Sequence, residues 1–276
     1  MGFKCKERDL ALPNERKKLL EAALKDLEVD PNVIGIYEDG SLGRGDYDPY
    51  SDIDLHIVVK PRTKQDFIAE KKERASNWGN VLFYEGSGGA PYIVSHYDCF
   101  VKIDSWYHEA SELQPSIWLK DVKAYYDPEH IVNNVISQSN KISFSVTAED
   151  IRYWREKVFA YAHETYRATR RNELNYALDN LSSLKWLIAS SWYTEKNEHL
   201  YNSYPVWSKI DREGTVLSTE QLKILAIWDC NRDSEKILQT IAAIYPEFLR
   251  LNKILSKKVG IEEDNNLCVR VFELIL

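Results

Sequence analysis

Short apolar runs separated by polar turns fill the first half of the chain. Six of these runs have the length and the β-branched and aromatic content typical of strands. They span residues 33–38, 52–59, 80–85, 91–97, 100–107 and 122–127. Helix-forming residues occupy the segment from Thr63 to Trp78, and apolar residues at helical spacing lead up to Leu27. The pattern predicts a mixed sheet with helices packed against it.

After Ser145 the chain changes to long segments that contain neither glycine nor proline. The motif T-A-E-D begins at Thr147 and is typical of a helix N-terminus, and Ser218 with Gln221 offers a second capping box. Two apolar stripes at helical spacing follow the first motif. They comprise Ile151, Trp154, Val158 and Tyr161, and then Leu174, Ala177, Leu178, Leu181, Leu184 and Ile188.

A further helix is predicted from residue 237 to residue 255, where Pro246 is expected to cause a break because proline removes a backbone donor. Residues 199–214 lack a periodic pattern and are expected to form an irregular connection. The predicted fold class is therefore α+β. We expect a mixed-sheet domain over residues 1–146, followed by an all-α helical bundle over residues 147–276.

Composition places the chain among soluble globular proteins, with 44% hydrophobic and 29% charged residues. The N-terminus lacks the apolar core of a signal peptide, and no window approaches the roughly 18 apolar residues that span a bilayer. We therefore expect a cytoplasmic protein with no membrane partner. The four cysteines are widely scattered without metal-ligand spacing, so reduced thiols are predicted.

The net charge is -7, and most of it lies before residue 147. An acidic first half repels a long polyanion such as DNA or RNA, whereas it attracts divalent metal ions and cationic small molecules. The charge pattern therefore argues against nucleic acid as a partner and favours a small cationic ligand.

The segment from Asp39 to Val59 carries the most informative pattern. It predicts a strand end, a glycine-rich turn, and then a strand on which alternate side chains share a face. Asp52 and Asp54 lie on one face with His56, opposite three apolar residues that require burial. Two carboxylates side by side on a rigid strand repel each other, and a shared hard cation such as Mg²⁺ is the usual reason to keep them there. His56 is interpreted as a neighbour of this pair and not as a ligand.

The glycine-rich turn before this strand is suited to phosphate binding. Its glycines, Gly40 among them, allow the backbone to approach phosphate oxygens closely. Ser41 offers a hydroxyl and an amide donor, and Arg44 offers a positive charge. With the two aspartates, the segment predicts a site for a complex of a nucleoside triphosphate with Mg²⁺.

The motif of Gly40-Ser41, about ten further residues and then Asp52-Ile53-Asp54 on a strand resembles the signature of the DNA polymerase β-like nucleotidyltransferase superfamily. A small catalytic domain followed by a helical bundle is similar to the antibiotic nucleotidyltransferases, which adenylylate aminoglycosides or lincosamides. The resemblance implies Mg²⁺-dependent transfer of a nucleoside monophosphate, by default AMP from ATP, to a hydroxyl group of a small acceptor. It assigns catalysis to the domain of residues 1–146 and acceptor binding to the helical bundle of residues 147–276. A cationic, aminoglycoside-like acceptor agrees with the acidic first half.

The resemblance also implies a third carboxylate on a neighbouring strand, which serves as metal ligand, as general base, or as both. Asp104 is the preferred candidate, and Asp98 and Glu85 are the alternatives. Basic residues of the helical domain reach the triphosphate in relatives, which makes Lys185 a candidate ligand. The resemblance is compatible with a monomer or a homodimer.

Two other functions fit the same fold. The first is a nucleotidyltransferase that modifies protein or RNA, although no basic track is present. The second is a non-catalytic nucleotide-binding regulator, against which the intact pair of Asp52 and Asp54 argues. The second glycine cluster, from Gly86 to Pro91, lacks a phosphate-loop ending and is interpreted as a hairpin turn.

Overall fold

The computed structural model describes residues 5–212 and 214–276. The chain divides into two compact units, with the division between Ser143 and Phe144. The expected domain boundary after residue 146 lies within a few residues of this division.

The first unit is built on a six-stranded mixed sheet. Its strands are β1 (Val33–Glu38), β2 (Ile53–Val59), β3 (Val81–Glu85), β4 (Tyr92–Tyr97), β5 (Lys102–Glu109) and β6 (Lys123–Tyr126). Its α-helices are α1 (Lys6–Glu28), α2 (Gly40–Arg44), α3 (Lys64–Trp78) and α4 (Ile131–Ser139), with 3₁₀ turns at Ala110–Glu112 and Ile117–Leu119. All six strands predicted from the apolar runs are confirmed, because each run has the content that suits a half-buried pleated surface.

The strands are ordered β3-β4-β5-β2-β1-β6 across the sheet. Strands β2 and β5 pair in parallel, and each other neighbouring pair is antiparallel. Strands β3 and β4 form the hairpin predicted around the second glycine cluster. The parallel pairing sets Asp54 of β2 directly opposite Asp104 of β5. It therefore joins two segments that are distant in the sequence.

Each face of the sheet has its own apolar cluster. On one face, Ile53, Leu55 and Ile57 of β2 are fully buried with residues of α1 and α3. On the other face, Tyr37 and Val58 pack with residues of α4 and of the segment before β6. The predicted alternation along β2 is thus confirmed, and it turns the aspartates away from the larger cluster.

The glycine-rich segment after β1 is a single helical turn, α2, and not the turn expected from its glycine content. The side chain of Asp39 accepts a hydrogen bond from the backbone N–H of Gly40 and caps this turn. Gly45 ends it in the left-handed conformation with φ of 77°. A cap and a stop residue at the correct spacing explain why the segment winds into a helix.

The second unit is helical in the residues that the structure describes. Its helices are α5 (Ala148–Arg170), α6 (Leu174–Glu195), α7 (Thr219–Ile227), α8 (Ser234–Val259) and α9 (Asn265–Glu273). The capping boxes predicted at Thr147 and Ser218 are both formed. Most residues of the predicted apolar stripes are buried in one core, which also contains Trp154, Trp192 and Phe248.

The break expected near Pro246 is absent, because α8 continues through this residue. Ile244 and Phe248, on either side of the proline, are both fully buried in the core of the second unit. This packing outweighs the single backbone hydrogen bond that proline removes. The described residues of the segment 199–214 form neither helix nor strand, as expected. No described helix is both long enough and apolar enough to cross a membrane.

Candidate active site

Three carboxylates converge where β2 and β5 run side by side. Asp52, Asp54 and Asp104 each place an oxygen atom within 4.8 Å of the others. Asp52 precedes β2 by one residue, and Asp54 and Asp104 occupy matched positions of the parallel pair. Carboxylate oxygens are the hard donors that Mg²⁺ prefers, so this donor set fits that ion.

The two alternatives for the third carboxylate lie outside this cluster. Asp98 is exposed in the turn between β4 and β5, where it accepts a hydrogen bond of 2.8 Å from the side chain of Asn80. Oε1 of Glu85 lies 2.6 Å from Nε2 of His96, on the neighbouring strand. The structure therefore brings Asp104, and neither of these two residues, next to Asp52 and Asp54.

A lysine that the sequence reasoning missed lies among the carboxylates. The Nζ atom of Lys102 is 2.5 Å from Oδ2 of Asp52, and 2.8 and 2.9 Å from the two carboxylate oxygens of Asp104. The signal was present in the sequence, because Lys102 and Asp104 are two residues apart on a strand and must share a face. Burial disfavours the charge of Lys102, but its hydrogen bonds to Asp104 and Asp52 outweigh burial and raise its pKa.

Partial burial also changes the carboxylates. Burial, reinforced by the charges of Asp52 and Asp104, raises the pKa of Asp54 to about 7. Burial raises the pKa of Asp104 as well, although its hydrogen bond with Lys102 acts in the opposite direction. Like charges held together out of water are unfavourable, so the cluster attracts any cation that reaches it.

Gly40 makes room for one carboxylate. It has a φ of +60°, and a Cβ atom at this position would lie 1.7 Å from Oδ2 of Asp54. A larger residue would therefore collide with Asp54 as well as strain the backbone. The neighbouring Arg44 forms an ion pair of 2.5 Å with Asp39, and Ser41 is buried. Phosphate contacts by Gly40, Ser41 and Arg44 remain predictions.

A family model described as nucleotidyltransferase domain matches residues 16–84. The matched stretch includes α2, Asp52 and Asp54. This part of the chain is similar to a nucleotidyltransferase domain. The match ends before Lys102 and Asp104, so these two residues are assigned to the site by geometry alone.

Solved structures similar to this chain include three bacterial proteins. An aminoglycoside 6-adenyltransferase from Bacillus subtilis is 11% identical over 94% of this chain and 98% of its own, with a TM-score of 0.43. A nucleotidyltransferase-like protein from Exiguobacterium sibiricum 255-15 is 9% identical over 88% and 78%, with a TM-score of 0.44. A CdnC:HORMA-deltaN complex from E. coli MS115-1 gives 14% identity over 98% and 91%, with a TM-score of 0.29. No curated protein matches the sequence.

A row of stacked rings crosses the sheet of the first unit beside the carboxylate cluster. The ring of His56 lies 4.6 Å from that of Tyr37 and 6.1 Å from that of Trp106, which in turn lies 4.6 Å from that of Tyr92. Nδ1 of His56 is 2.9 Å from Nε2 of His108. Burial lowers the pKa of both histidines, so each is neutral and one donates its N–H to the other. His56 is thus a structural neighbour of the cluster, as the sequence indicated.

A cavity of about 410 Å³ opens next to the carboxylates in the same domain. Asp52, Lys102 and His96 contribute polar groups to its wall. The rest of the wall includes four large apolar side chains that are more than half exposed to solvent: Tyr50, Leu82, Phe83 and Phe100. Large exposed apolar groups around a polar centre are typical of a binding site for an organic molecule.

The second unit contains the last predicted nucleotide ligand, Lys185. This residue lies on α6, and its Nζ atom is 3.4 Å from Oδ1 of Asp229. A contact between Lys185 and a triphosphate remains a prediction. The second unit also has a cavity of about 530 Å³ that Tyr161, Glu164 and Tyr176 help to line. Glu164 already forms an ion pair of 3.0 Å with Arg171, so its charge is partly balanced.

Proposed function

We propose that the protein uses Mg²⁺ to transfer a nucleoside monophosphate, by default AMP from ATP, to a hydroxyl group of a small acceptor. One observation carries the proposal: Asp52, Asp54 and Asp104 converge beside α2, at the motif of the nucleotidyltransferase domain. Each part of that motif has a place in the reaction, and the roles of the individual residues are part of the proposal.

Asp52, Asp54 and Asp104 would hold the metal ion, since their oxygen atoms already lie within reach of a common centre. When bound, Mg²⁺ neutralises triphosphate charge and orients the phosphates for in-line displacement. Gly40, Ser41 and Arg44 lie directly before these ligands in the chain, where they would position the phosphates of the nucleotide.

Asp104 would also serve as the general base. Its carboxylate takes the proton of the acceptor hydroxyl as the hydroxyl oxygen forms a bond to the α-phosphorus. The bond between that phosphorus and the bridging oxygen to the β-phosphate breaks, and pyrophosphate leaves. A well-placed base contributes roughly 10²–10⁴-fold to such a rate.

The cavity beside Asp52 would receive the acceptor, in place of the helical bundle expected from the resemblance, because this cavity adjoins the carboxylates that act on the hydroxyl group. Its volume suits a small molecule, and the acidic character of the first half favours a cationic one. These features support an aminoglycoside-like acceptor that presents an apolar surface to Phe83 and Phe100. The net charge of the chain also disfavours DNA as a partner.

The test is pyrophosphate release from each of the four nucleoside triphosphates with Mg²⁺, measured against panels of aminoglycosides and lincosamides. We expect release that depends on a drug and falls by at least about 10³-fold in Asp52→Ala/Asp54→Ala. Asp98→Ala is the matched control, since it removes an aspartate of the same domain that lies outside the cluster.

Two results would redirect the proposal. If the nucleotide-Mg²⁺ complex binds but no drug stimulates release, the acceptor is a protein or RNA and the panels must change accordingly. If no acceptor of any class supports turnover while nucleotide still binds, the protein is a non-catalytic nucleotide-binding regulator.

A further inference from the structure

Lys102 occupies the space that the three carboxylates share. Its ammonium group contacts Asp52 and Asp104 at 2.5 to 2.9 Å, so it bonds to two of the three residues that would hold a metal ion. The side chains of Lys102, Asp52 and Asp104 are 34%, 30% and 21% exposed. These contacts are therefore shielded more than those of an ordinary surface ion pair.

Electrostatics explains this position. Three carboxylates whose oxygens lie within 4.8 Å of one another repel strongly unless a cation lies near them. Lys102 projects from β5 on the same face as Asp104, and the parallel pairing of β5 with β2 brings it to Asp52. The chain thus supplies its own cation to the cluster.

A lysine ammonium and a metal ion cannot bind the same carboxylate lone pairs at once. We propose that Lys102 is an internal counter-cation that competes with the divalent metal for Asp52 and Asp104. This inference rests on the proposed metal-dependent function, because the competitor is the ion that function requires. Lys102 stabilises the metal-free protein, and it must leave the cluster before the metal can use all three carboxylates.

The structure also indicates where the ammonium group can go. Lys102 already forms part of the wall of the cavity beside Asp52, together with His96, Phe83 and Phe100. Rotation of its flexible four-carbon stem into this cavity keeps the charge in contact with solvent. Metal binding therefore rearranges the wall of the cavity that we assign to the acceptor.

The alternative is that Lys102 remains bound to both aspartates and helps to orient them for the metal. The two possibilities predict opposite effects of its removal. A competitor weakens metal binding, so loss of its charge strengthens that binding. An orienting residue supports metal binding, so its loss weakens it.

The experiment is a titration of the full-length, chelator-treated protein with Mn²⁺ alone, with free Mn²⁺ measured by electron paramagnetic resonance. We expect Lys102→Met to bind Mn²⁺ about tenfold more tightly than the wild type, the change that loss of two ion pairs of this kind produces. Lys102→Gln keeps a polar side chain without the charge and serves as a second variant, with an intermediate gain expected.

Lys64→Met is the matched control, because Lys64 forms an ion pair of 2.6 Å with Glu112 away from the cluster. We expect this variant to leave Mn²⁺ affinity unchanged. Thermal unfolding supplies an independent readout. The metal-free Lys102→Met protein should melt about 2–4 °C below the wild type, and saturating Mn²⁺ should remove that difference.

The possible failures are distinguishable. If Mn²⁺ binding depends on Asp54 but is unchanged or weaker in Lys102→Met and Lys102→Gln, the competition is refuted while the metal site stands. If the wild type, Lys102→Met and Asp54→Asn all fail to bind Mn²⁺, or all bind it equally, the metal site of the proposed function fails and the competition fails with it.

Discussion

Strands β2 and β5 share one face of the sheet, and its two ends stabilise buried polar groups in different ways. At one end, beside Asp54, Lys102 balances the charges of Asp52 and Asp104. Two residues along, His56 is neutral, stacks on neighbouring rings and hydrogen-bonds to His108. The charged end is ready to exchange one cation for another, whereas the ring end has its polar atoms satisfied internally. Function is expected where the polar groups still need a partner.

Removal of one carboxylate should have the largest effect. Asp104→Asn keeps the shape of the charged end but removes its proposed base, so we expect the transfer rate to fall by about 10²–10⁴-fold. Pyrophosphate release with a stimulating acceptor measures this change. Asp98→Asn should stay within about twofold of the wild type. Equal losses in both variants would show that Asp104 has no special role.

Substitution of a glycine beside the carboxylates should also disrupt the charged end. Gly40→Ala and Gly45→Ala both place a side chain at a positive φ, a strain of roughly 1–3 kcal/mol in each case. Only the Cβ atom at Gly40 meets Asp54, while the one at Gly45 has open space. We therefore expect Gly40→Ala alone to weaken Mn²⁺ binding, by at least about tenfold.

Calorimetry of unfolding and of Mn²⁺ binding in both glycine variants distinguishes backbone strain from a collision with Asp54. We expect both variants to lose similar stability, and only Gly40→Ala to lose Mn²⁺ affinity. This result would show that the missing side chain of Gly40 leaves room for Asp54. Unchanged Mn²⁺ affinity in Gly40→Ala would mean that Asp54 is not a ligand.

At the other end, where His56 stacks on neighbouring rings, low pH should destabilise the fold. Burial lowers the pKa of His56 to about 3, below its ordinary value of 6.5, so the unfolded chain takes up the proton first as the pH falls. The contribution of neutral His56 to the free energy of unfolding is therefore complete above about pH 6.5, and it is lost progressively as the pH falls toward 3. Replacing His56 with a side chain that does not titrate should reduce the loss of unfolding free energy in acid by about 1–3 kcal/mol.

Urea unfolding of the wild type and of His56→Gln between pH 7 and pH 4 measures the difference. The exposed His130 has a positive φ that asparagine tolerates, so His130→Asn is a suitable control and should keep the wild-type slope. A His56→Gln slope equal to that of the wild type would show that the histidine pair is not kept neutral.

Glu38 extends the comparison, because its carboxyl group is fully buried and accepts a hydrogen bond from the neutral hydroxyl group of Tyr125. Burial raises its pKa from 4.5 to about 7, against the hydrogen bond that Tyr125 donates to it. The unfolded chain loses this proton first as the pH rises, so stability falls between about pH 4.5 and pH 7. We expect Glu38→Gln to gain about 1–3 kcal/mol over the wild type at pH 8 and less at pH 5.

The same unfolding assay at pH 5 and pH 8 tests this expectation. Glu109→Gln provides a carboxyl control on another strand of the sheet. Glu38→Gln and the wild type should converge as the pH falls, and a constant offset between them would contradict a titrating Glu38.

Local patterns in the sequence predicted most of the fold. Period-two alternation identified the face of β2 that carries Asp52 and Asp54, and capping boxes marked the starts of α5 and α7. Two expectations about local structure were wrong. Pro246 continues a helix because buried residues flank it, and the segment after β1 is helical because Asp39 caps it.

The site was less accessible to sequence reasoning than the fold. Asp104 could be named as a third carboxylate, but only the pairing of β2 with β5 separates it from Asp98 and Glu85. Lys102 was missed because a lysine two residues from an aspartate is ordinary on a solvated strand. Its contact with Asp52 is a long-range fact that no local pattern contains.

The parallel pairing of β2 and β5 has a consequence for the order of events during synthesis. The segments that form α3, β3 and β4 separate Asp54 from Asp104 in the chain, so all three are synthesised before Asp104 is. Closing a connection of this length costs entropy before its contacts form. A nascent chain that ends before β5 holds only two of the three carboxylates proposed to bind the metal. In the proposed function, an ion bound by Asp54 and Asp104 would link the two ends of this crossover, so the same cation would also hold the parallel strands together.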